Sequence, residues 1–169
     1  MSWPARIQNL CQDNQIISLC EKMISVKTCL AQKPQPLVTI SVESDQKVIV
    51  ALQLMRDNLV RAVLVINDGK LMGILTQGDC AIKVLLPGLD PKQVQVKEVM
   101  TIDPVTVKLE DPIEACTGLM AARNFRHLPV VEAGVVAGVI SIGDVVKQNI
   151  RQMGQQIGFL ETYIKGHGA

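Results

Sequence analysis

Two stretches of this 169-residue chain carry the residue types and spacing for small-molecule chemistry. They are Gly73-Ile-Leu-Thr-Gln-Gly-Asp79 and Gly138-Val-Ile-Ser-Ile-Gly-Asp144. Both run glycine, two apolar residues, a hydroxyl, a variable residue, then Gly-Asp. The hydroxyl closes a predicted strand and the aspartate falls in the first turn of a predicted helix. Such an aspartate can cap the helix and favour the positive end of its dipole. It can also act with the hydroxyl on a ligand. Thr76 with Asp79, and Ser141 with Asp144, would converge on a ribose, whose two hydroxyls a carboxylate accepts, while helix N-terminal amides help hold phosphate. The pattern leaves both readings open, and its repetition raises the second. Catalysis finds little support: the sequence has no Cys-His pair at a motif, no nucleophile elbow and no His/Glu metal pattern. Asp79 and Asp144 could serve as bases, but nothing near them supplies a nucleophile or a metal. The expectation is a binding protein, not an enzyme.

The elements that position these corners are duplicated. With Gly78-Asp79 laid over Gly143-Asp144, a constant spacing of 65 residues also matches Gly73 to Gly138, Gly69 to Gly134, Val65 to Val130 and Arg61 to Arg126. Upstream, Val26-Lys-Thr-Cys-Leu30 resembles Val96-Lys-Glu-Val-Met100 at a spacing of 70, which implies about five extra residues around Gln32–Pro36. Each copy reads β-α-β-β-α. The first strand is Leu37–Val42 or Pro104–Val107. The first helix starts at Ser44-Asp45 or Asp111-Pro112. A hairpin follows, turning at Asn67-Asp68-Gly69 or Glu132-Ala133-Gly134. The second helix starts near Gln77 or Ile142. One copy alone would leave a sheet face uncovered, so the two should pack sheet to sheet as an α/β (α+β) pseudo-twofold module. The expected division is an N-terminal helical extension over 1–25, with Trp3 as a possible anchor, copy one over 26–91, copy two over 92–152, and a C-terminal helix and tail over 153–169. Residues 86–91 read as the linker. Val145–Lys165 reads as one long helix weakened by Gly154 and Gly158, and the tail containing His167 as disordered.

Composition agrees with a packed, non-polyanion-binding fold. Hydrophobic residues make up 48% and aromatics only 2%, so aliphatic side chains must fill the core, and the methionines are core filling. A net charge of +1 gives no field for DNA or RNA. The five cysteines, at 11, 20, 29, 80 and 116, form no C-x-x-C pair and read as small buried hydrophobes in a reducing compartment. The N-terminus lacks a signal or transit pattern, and no apolar run nears the roughly 20 residues that span a bilayer. The expectation is a cytoplasmic protein with no membrane or nucleic-acid partner.

Arg126-His-Leu-Pro-Val-Val131 followed by Gly138–Lys147 resembles a CBS (cystathionine β-synthase) repeat. Val96-Lys-Glu-Val-Met-Thr101 followed by Pro104-Val-Thr-Val107 does so too. The tail Ile157–Gly166 is similar to that of small stand-alone CBS-pair proteins of bacteria and mitochondria. The resemblance covers residues 26–166. It implies a paired, or Bateman, module that often forms disc-shaped homodimers and whose cleft binds adenosine compounds such as AMP, ADP, ATP, NAD or S-adenosylmethionine. By the same resemblance, Ser141 and Asp144, and Thr76 and Asp79, contact ribose. Val105, and Ile40 in copy one, line the adenine slot. His127 beside Arg126, and Arg61 in copy one, reach phosphate. Read from residues alone, His127 could equally be satisfied by a local carbonyl, and both arginines could be solvated charges.

The first copy departs from the pattern. Relatives of this class often read Ser-Glu-Arg-Asp-Tyr where this chain has Thr76-Gln-Gly-Asp-Cys80, Ile82 sits near a second basic position, and Ala62-Val-Leu64 replaces the His-Leu-Pro of copy two. The expectation is one good nucleotide site around Ser141, Asp144 and His127, with a twin at Thr76 and Asp79 that is weaker, prefers a less charged ligand, or is empty. A sensor that regulates a partner protein is the leading reading. A structural dimerisation or adaptor module with a degenerate cleft is the alternative.

Overall fold

The computed structural model describes residues 24–33 and 39–166, with side chains to residue 154. The expected N-terminal helix with Trp3, Cys11 and Cys20, the start of the first strand and the His167 tail lie outside the described residues. Along the chain run α1 (Val26–Ala31), β1 (Ser41–Val42), α2 (Val48–Asp57), β2 (Ala62–Asn67) and β3 (Lys70–Thr76). Next come α3 (Gln77–Cys80), passing into a π-helical turn (Ala81–Leu85), then α4 (Val96–Val99) and β4 (Thr101–Ile102). The second half holds α5 (Ile113–Arg123), β5 (His127–Glu132), β6 (Val135–Ser141) and α6 (Ile142–Gly166).

The hairpins form where their turn residues predict. Asp68 and Gly69 have φ of 49° and 76°, and Ala133 and Gly134 have 49° and 80°. Two successive left-handed residues match the right-handed twist of the flanking strands. Register then runs from Asn67↔Lys70 to Ala62↔Thr76, and from Glu132↔Val135 to His127↔Ser141. Each hairpin therefore delivers its hydroxyl to the end of a strand directly opposite the residue that follows Arg61 or Arg126. The sheets are ordered β1-β2-β3-β4 and β5-β6. They meet face to face through buried Ala62, Leu64 and Ile74, against which Val136 and Val139 pack.

The segments that lead each repeat are exchanged. Val26, Cys29 and Leu30 of α1 lie in the core of the second repeat with Val107, Ile113 and Leu128. The Val26 and Lys27 amides donate to the carbonyls of Asp111 and Leu109, both at 2.9 Å. Conversely, Val96 and Val99 of α4 lie in the core of the first repeat with Val42, Val48 and Met55. The Val96 and Lys97 amides donate to Gln46 and Ser44 carbonyls at 2.9 and 2.8 Å. The motif glycines admit these leaders. A Cβ on Gly73 would fall 2.6 Å from the Thr101 carbonyl oxygen and 2.8 Å from the Met100 sulfur, and one on Gly138 would fall 3.2 Å from the Leu30 side chain.

Exchange also explains where sequence expectations need correction. Residues 104–107 do not form a strand: only a parallel bridge joins Val107 to Val130. The strand instead lies earlier, as β4, paired with β3 of the first repeat through Gly73↔Ile102. The chain must then turn back, which it does at Asp103 with φ of 46°, and Pro104 has no amide to donate to a ladder. Of the strand expected over Leu37–Val42, only Ser41–Val42 is present among the described residues. The first helices start later than Ser44-Asp45 and Asp111-Pro112 imply, at Val48 and Ile113. Ser44 is tied to the hairpin instead, its amide donating to Asn67 Oδ1 at 3.0 Å and its hydroxyl accepting from Asn67 Nδ2 at 2.7 Å. Pro112 is the N-cap of α5, not its first helical residue. The C-terminal helix begins at Ile142 and runs 25 residues without a break at Gly154 or Gly158.

Candidate functional site

Each hydroxyl–aspartate corner closes on itself. The Ser141 amide and hydroxyl both donate to Asp144 Oδ2, at 2.8 and 2.7 Å, and the Asp144 amide donates back to Ser141 Oγ at 3.3 Å. In the first repeat the Thr76 amide and hydroxyl donate to Asp79 Oδ2 at 3.1 and 2.6 Å, and the Asp79 amide returns to Thr76 Oγ1 at 3.1 Å. This is a reciprocal capping box, so the helix-capping role holds at both corners.

A lysine completes each corner, on different oxygens. Lys33 Nζ lies 2.9 Å from Asp144 Oδ2 and donates to the Val139 carbonyl at 2.7 Å. Lys83 Nζ lies 2.8 Å from Asp79 Oδ1 and donates to the Val99 carbonyl at 2.7 Å. All three donors of the second corner therefore crowd onto Oδ2 of Asp144, and its Oδ1 receives no hydrogen bond from the described residues. At Asp79 both oxygens already accept a bond, two on Oδ2 and one on Oδ1. Burial opposes ionisation of each carboxyl, yet the lysine and the hydroxyl and amide bonds outweigh it, holding both below the ordinary carboxylate range.

The corners open on two cavities between the repeats. The larger, of about 890 Å³, is lined by Ser141, Gly143, Asp144 and Lys147 of the second repeat, by Ile40 and residues 58–62 of the first, and by Lys33. The smaller, of about 580 Å³, is lined by Thr76, Gly78 and Asp79 of the first repeat and by Asp103, Pro104, Val105 and residues 124–127 of the second. Arg61, Arg126 and His127 border both. The arginine backbones are fastened to their own corners, the Arg61 carbonyl accepting from the Gln77 amide at 3.0 Å and the Arg126 carbonyl from Ile142 at 2.9 Å.

Each cavity joins a corner of one repeat to the apolar residue of the other. Ile40 faces Ser141 and Asp144, whereas Val105 faces Thr76 and Asp79, because face-to-face packing sets each corner against the opposite repeat. The charges also part. The larger cavity has Lys33, Arg61, Arg126 and Lys147 around one carboxylate, and the smaller has Arg61 and Arg126 against Asp79 and Asp103. His127 adds no cation to either. Burial, with Lys33, Arg126 and Arg61 nearby, pushes its pKa below the usual histidine value despite Asp144, so it is neutral at pH 7.

Sequence reading missed Lys33, Lys83 and Lys147. Lys83 stands four residues after Asp79, a spacing that pairs charges on a helix. Lys33 carries no comparable signal, since it reaches Asp144 only through leader exchange.

The CBS-domain family model matches residues 35–85 and 96–150. The chain belongs to the CBS-domain family. It is 30% identical over 128 residues to the mitochondrial CBS domain-containing protein CBSX3 of Arabidopsis thaliana, a match covering 73% of this chain and 62% of that relative. The chain thus spans less than two thirds of that protein's length. Its fold is similar to that of a CBS-domain protein from Burkholderia ambifaria MC40-6, at TM-score 0.73 and 34% identity, covering 76% of this chain and 95% of that one. It also shares the fold of the CBS pair of protein MJ0100, solved with 5′-methylthioadenosine and S-adenosyl-L-methionine, at TM-score 0.66 and 23% identity, covering 77% and 98%. CBS pairs are in general regulatory modules that bind adenosine ligands. Among the described residues, no helix is long and apolar enough to cross a membrane.

Proposed function

We propose that this CBS pair is a non-catalytic regulatory sensor that binds an adenine nucleotide, AMP, ADP, ATP or NAD, in its larger cavity. One observation carries the reading: a hydroxyl–carboxylate corner with an uncommitted acceptor, Asp144 Oδ1, faces a cavity holding four cationic side chains around that single carboxylate. Asp144 and Ser141 take the ribose hydroxyls. Ile40, Val60 and Ala62 offer apolar surface to the adenine. Arg61, Arg126 and Lys147 meet the phosphates, and neutral His127 supplies a hydrogen bond. The smaller cavity, with Thr76, Asp79 and Val105, has balanced charge and lacks the surplus of cations that would meet phosphates.

The output passes through a homodimer. Ile142, Val146 and Ile150 on α6 are 39–63% exposed, and Ile82, Leu85 and Leu86 after α3 are 57–80% exposed. Two such apolar faces, each on the helical segment that follows a corner, suit a second copy of the chain. Occupancy of the cleft then biases the arrangement of repeats that a regulated partner reads. The free, buried thiols of Cys29, Cys80 and Cys116 fit a reducing compartment such as the cytoplasm. Calorimetric titration of the protein with AMP, ADP, ATP and NAD tests the reading. Saturable binding of at least one, with a rise in Tm, is expected, and silence towards all four at millimolar concentration would overturn it. In that case the apolar helical faces would favour the adaptor reading, with a dimer that ignores nucleotide.

A further inference from the structure

We infer that Lys83 is a specificity-determining residue that withholds Asp79 from ribose, so that each chain binds one nucleoside ligand and not two. The inference rests on the proposed nucleotide reading of the larger cavity.

A ribose diol needs acceptor positions on the carboxylate it binds. Asp144 offers one because Lys33, Ser141 Oγ and the Ser141 amide all share Oδ2. Asp79 has no oxygen left wholly open: Thr76 fills both positions of Oδ2 and Lys83 takes one of the two on Oδ1. The Lys83 latch is anchored twice. Its ammonium also donates to the carbonyl of Val99, the last residue of α4, just before the β4 segment that borders the smaller cavity. A ribose diol that takes both positions of Oδ1, as the open oxygen of Asp144 allows, must displace a charge-assisted bond to a largely buried carboxylate.

The second repeat is built differently at the matched position. Sixty-five residues beyond Lys83 stands Gln148, uncharged and 4% exposed, and the Asp144 carboxylate bonds to Ser141 and Lys33 instead among the described residues. Otherwise the smaller cavity is equipped for a nucleoside: about 580 Å³, the Thr76–Asp79 corner, and Val105 and Phe125 as apolar wall. With its charges balanced, it suits an uncharged nucleoside once Lys83 is gone.

The test substitutes Lys83→Gln, which gives the first repeat the residue of the second, with Lys83→Met as a second variant and Lys83→Arg as a charge-retaining control. AMP is first titrated into wild type to count sites, and one per chain is expected. Labelled adenosine is then titrated into AMP-saturated proteins by equilibrium dialysis. Lys83→Gln and Lys83→Met should take up one adenosine per chain at least about tenfold more tightly than wild type, as loss of one competing charged hydrogen bond requires. Lys83→Arg should behave as wild type. Two AMP per wild-type chain, or no gain of adenosine binding in a variant with an intact cooperative melt, would overturn the inference and leave the nucleotide reading standing. Failure of wild type to bind AMP, ADP, ATP or NAD would sink that reading, and the inference with it.

Discussion

Asp144→Asn separates the two roles of the second corner. The amide oxygen can replace Oδ2 and go on accepting from the Ser141 amide and hydroxyl, so the cap survives. Two things are lost: the Lys33 ion pair, whose side chains are 27% and 17% exposed, and the anionic acceptor at Oδ1. The first loss should cost about 1 kcal/mol of stability, a fall in Tm of about 2–4 °C for a chain of this size. The second removes one charge-assisted hydrogen bond to ribose, worth about 2 kcal/mol, or roughly 30-fold in Kd. The NH₂ group now at the Oδ1 position turns an acceptor into a donor, so relaxation should not restore the bond. Calorimetry should show AMP binding about 30-fold more weakly to the variant. The diol should be the cause: wild type should prefer adenosine to 2′,3′-dideoxyadenosine by a similar factor, and Asp144→Asn should show little preference. AMP affinity within threefold of wild type in a folded variant, or an undiminished preference for the diol, would refute the ribose role and leave Asp144 as a cap alone.

Three further outcomes follow from the geometry. Leu59, 93% exposed with φ of 54°, ends α2 in a left-handed conformation where the second repeat has Asn124 at 56°; Leu59→Asn should raise stability by about 1 kcal/mol, read as a higher urea midpoint. Gly73→Ala would drive a methyl into the Thr101 carbonyl, so it should cost about 2 kcal/mol in chemical denaturation while AMP still binds the larger cavity. The folded pKa of His127 lies below its unfolded value of 6.5, so the unfolded chain takes up the proton first and stability drops as pH falls below about 6.5 towards the folded pKa; urea midpoints at pH 7.5 and 5.5 should differ less for His127→Gln than for wild type.

The hairpins were legible because their chemistry is local. Asp68-Gly69 and Ala133-Gly134 dictate the turn, and the turn dictates register, which puts Thr76 opposite Ala62 and Ser141 opposite His127. The family match was legible in the duplicated corners for the same reason. What could not be read was which repeat each leader joins. An internal alignment records that Val26–Leu30 resembles Val96–Met100, but both cores are aliphatic and either would accept either leader. The corner that each of Ile40 and Val105 faces was therefore not legible, and Lys33 was overlooked. The helix starts were misread because Ser44 has a competing partner, Asn67, that is distant in sequence. The oxygen-by-oxygen difference between Asp79 and Asp144 has no sequence signature beyond the spacing of Lys83.

Leader exchange also bears on how the chain is made. α1 emerges early in synthesis, but its backbone partners, Leu109 and Asp111, and the core it fills are translated much later. The first repeat in turn waits for α4 and β4, which stand after the linker. Neither half can close its core alone, so the two should fold as one cooperative unit after most of the chain is out of the ribosome. A stop codon or proteolytic nick near the linker would release halves that each lack a piece held by the other, and co-expressed halves should recover the fold only by assembling together.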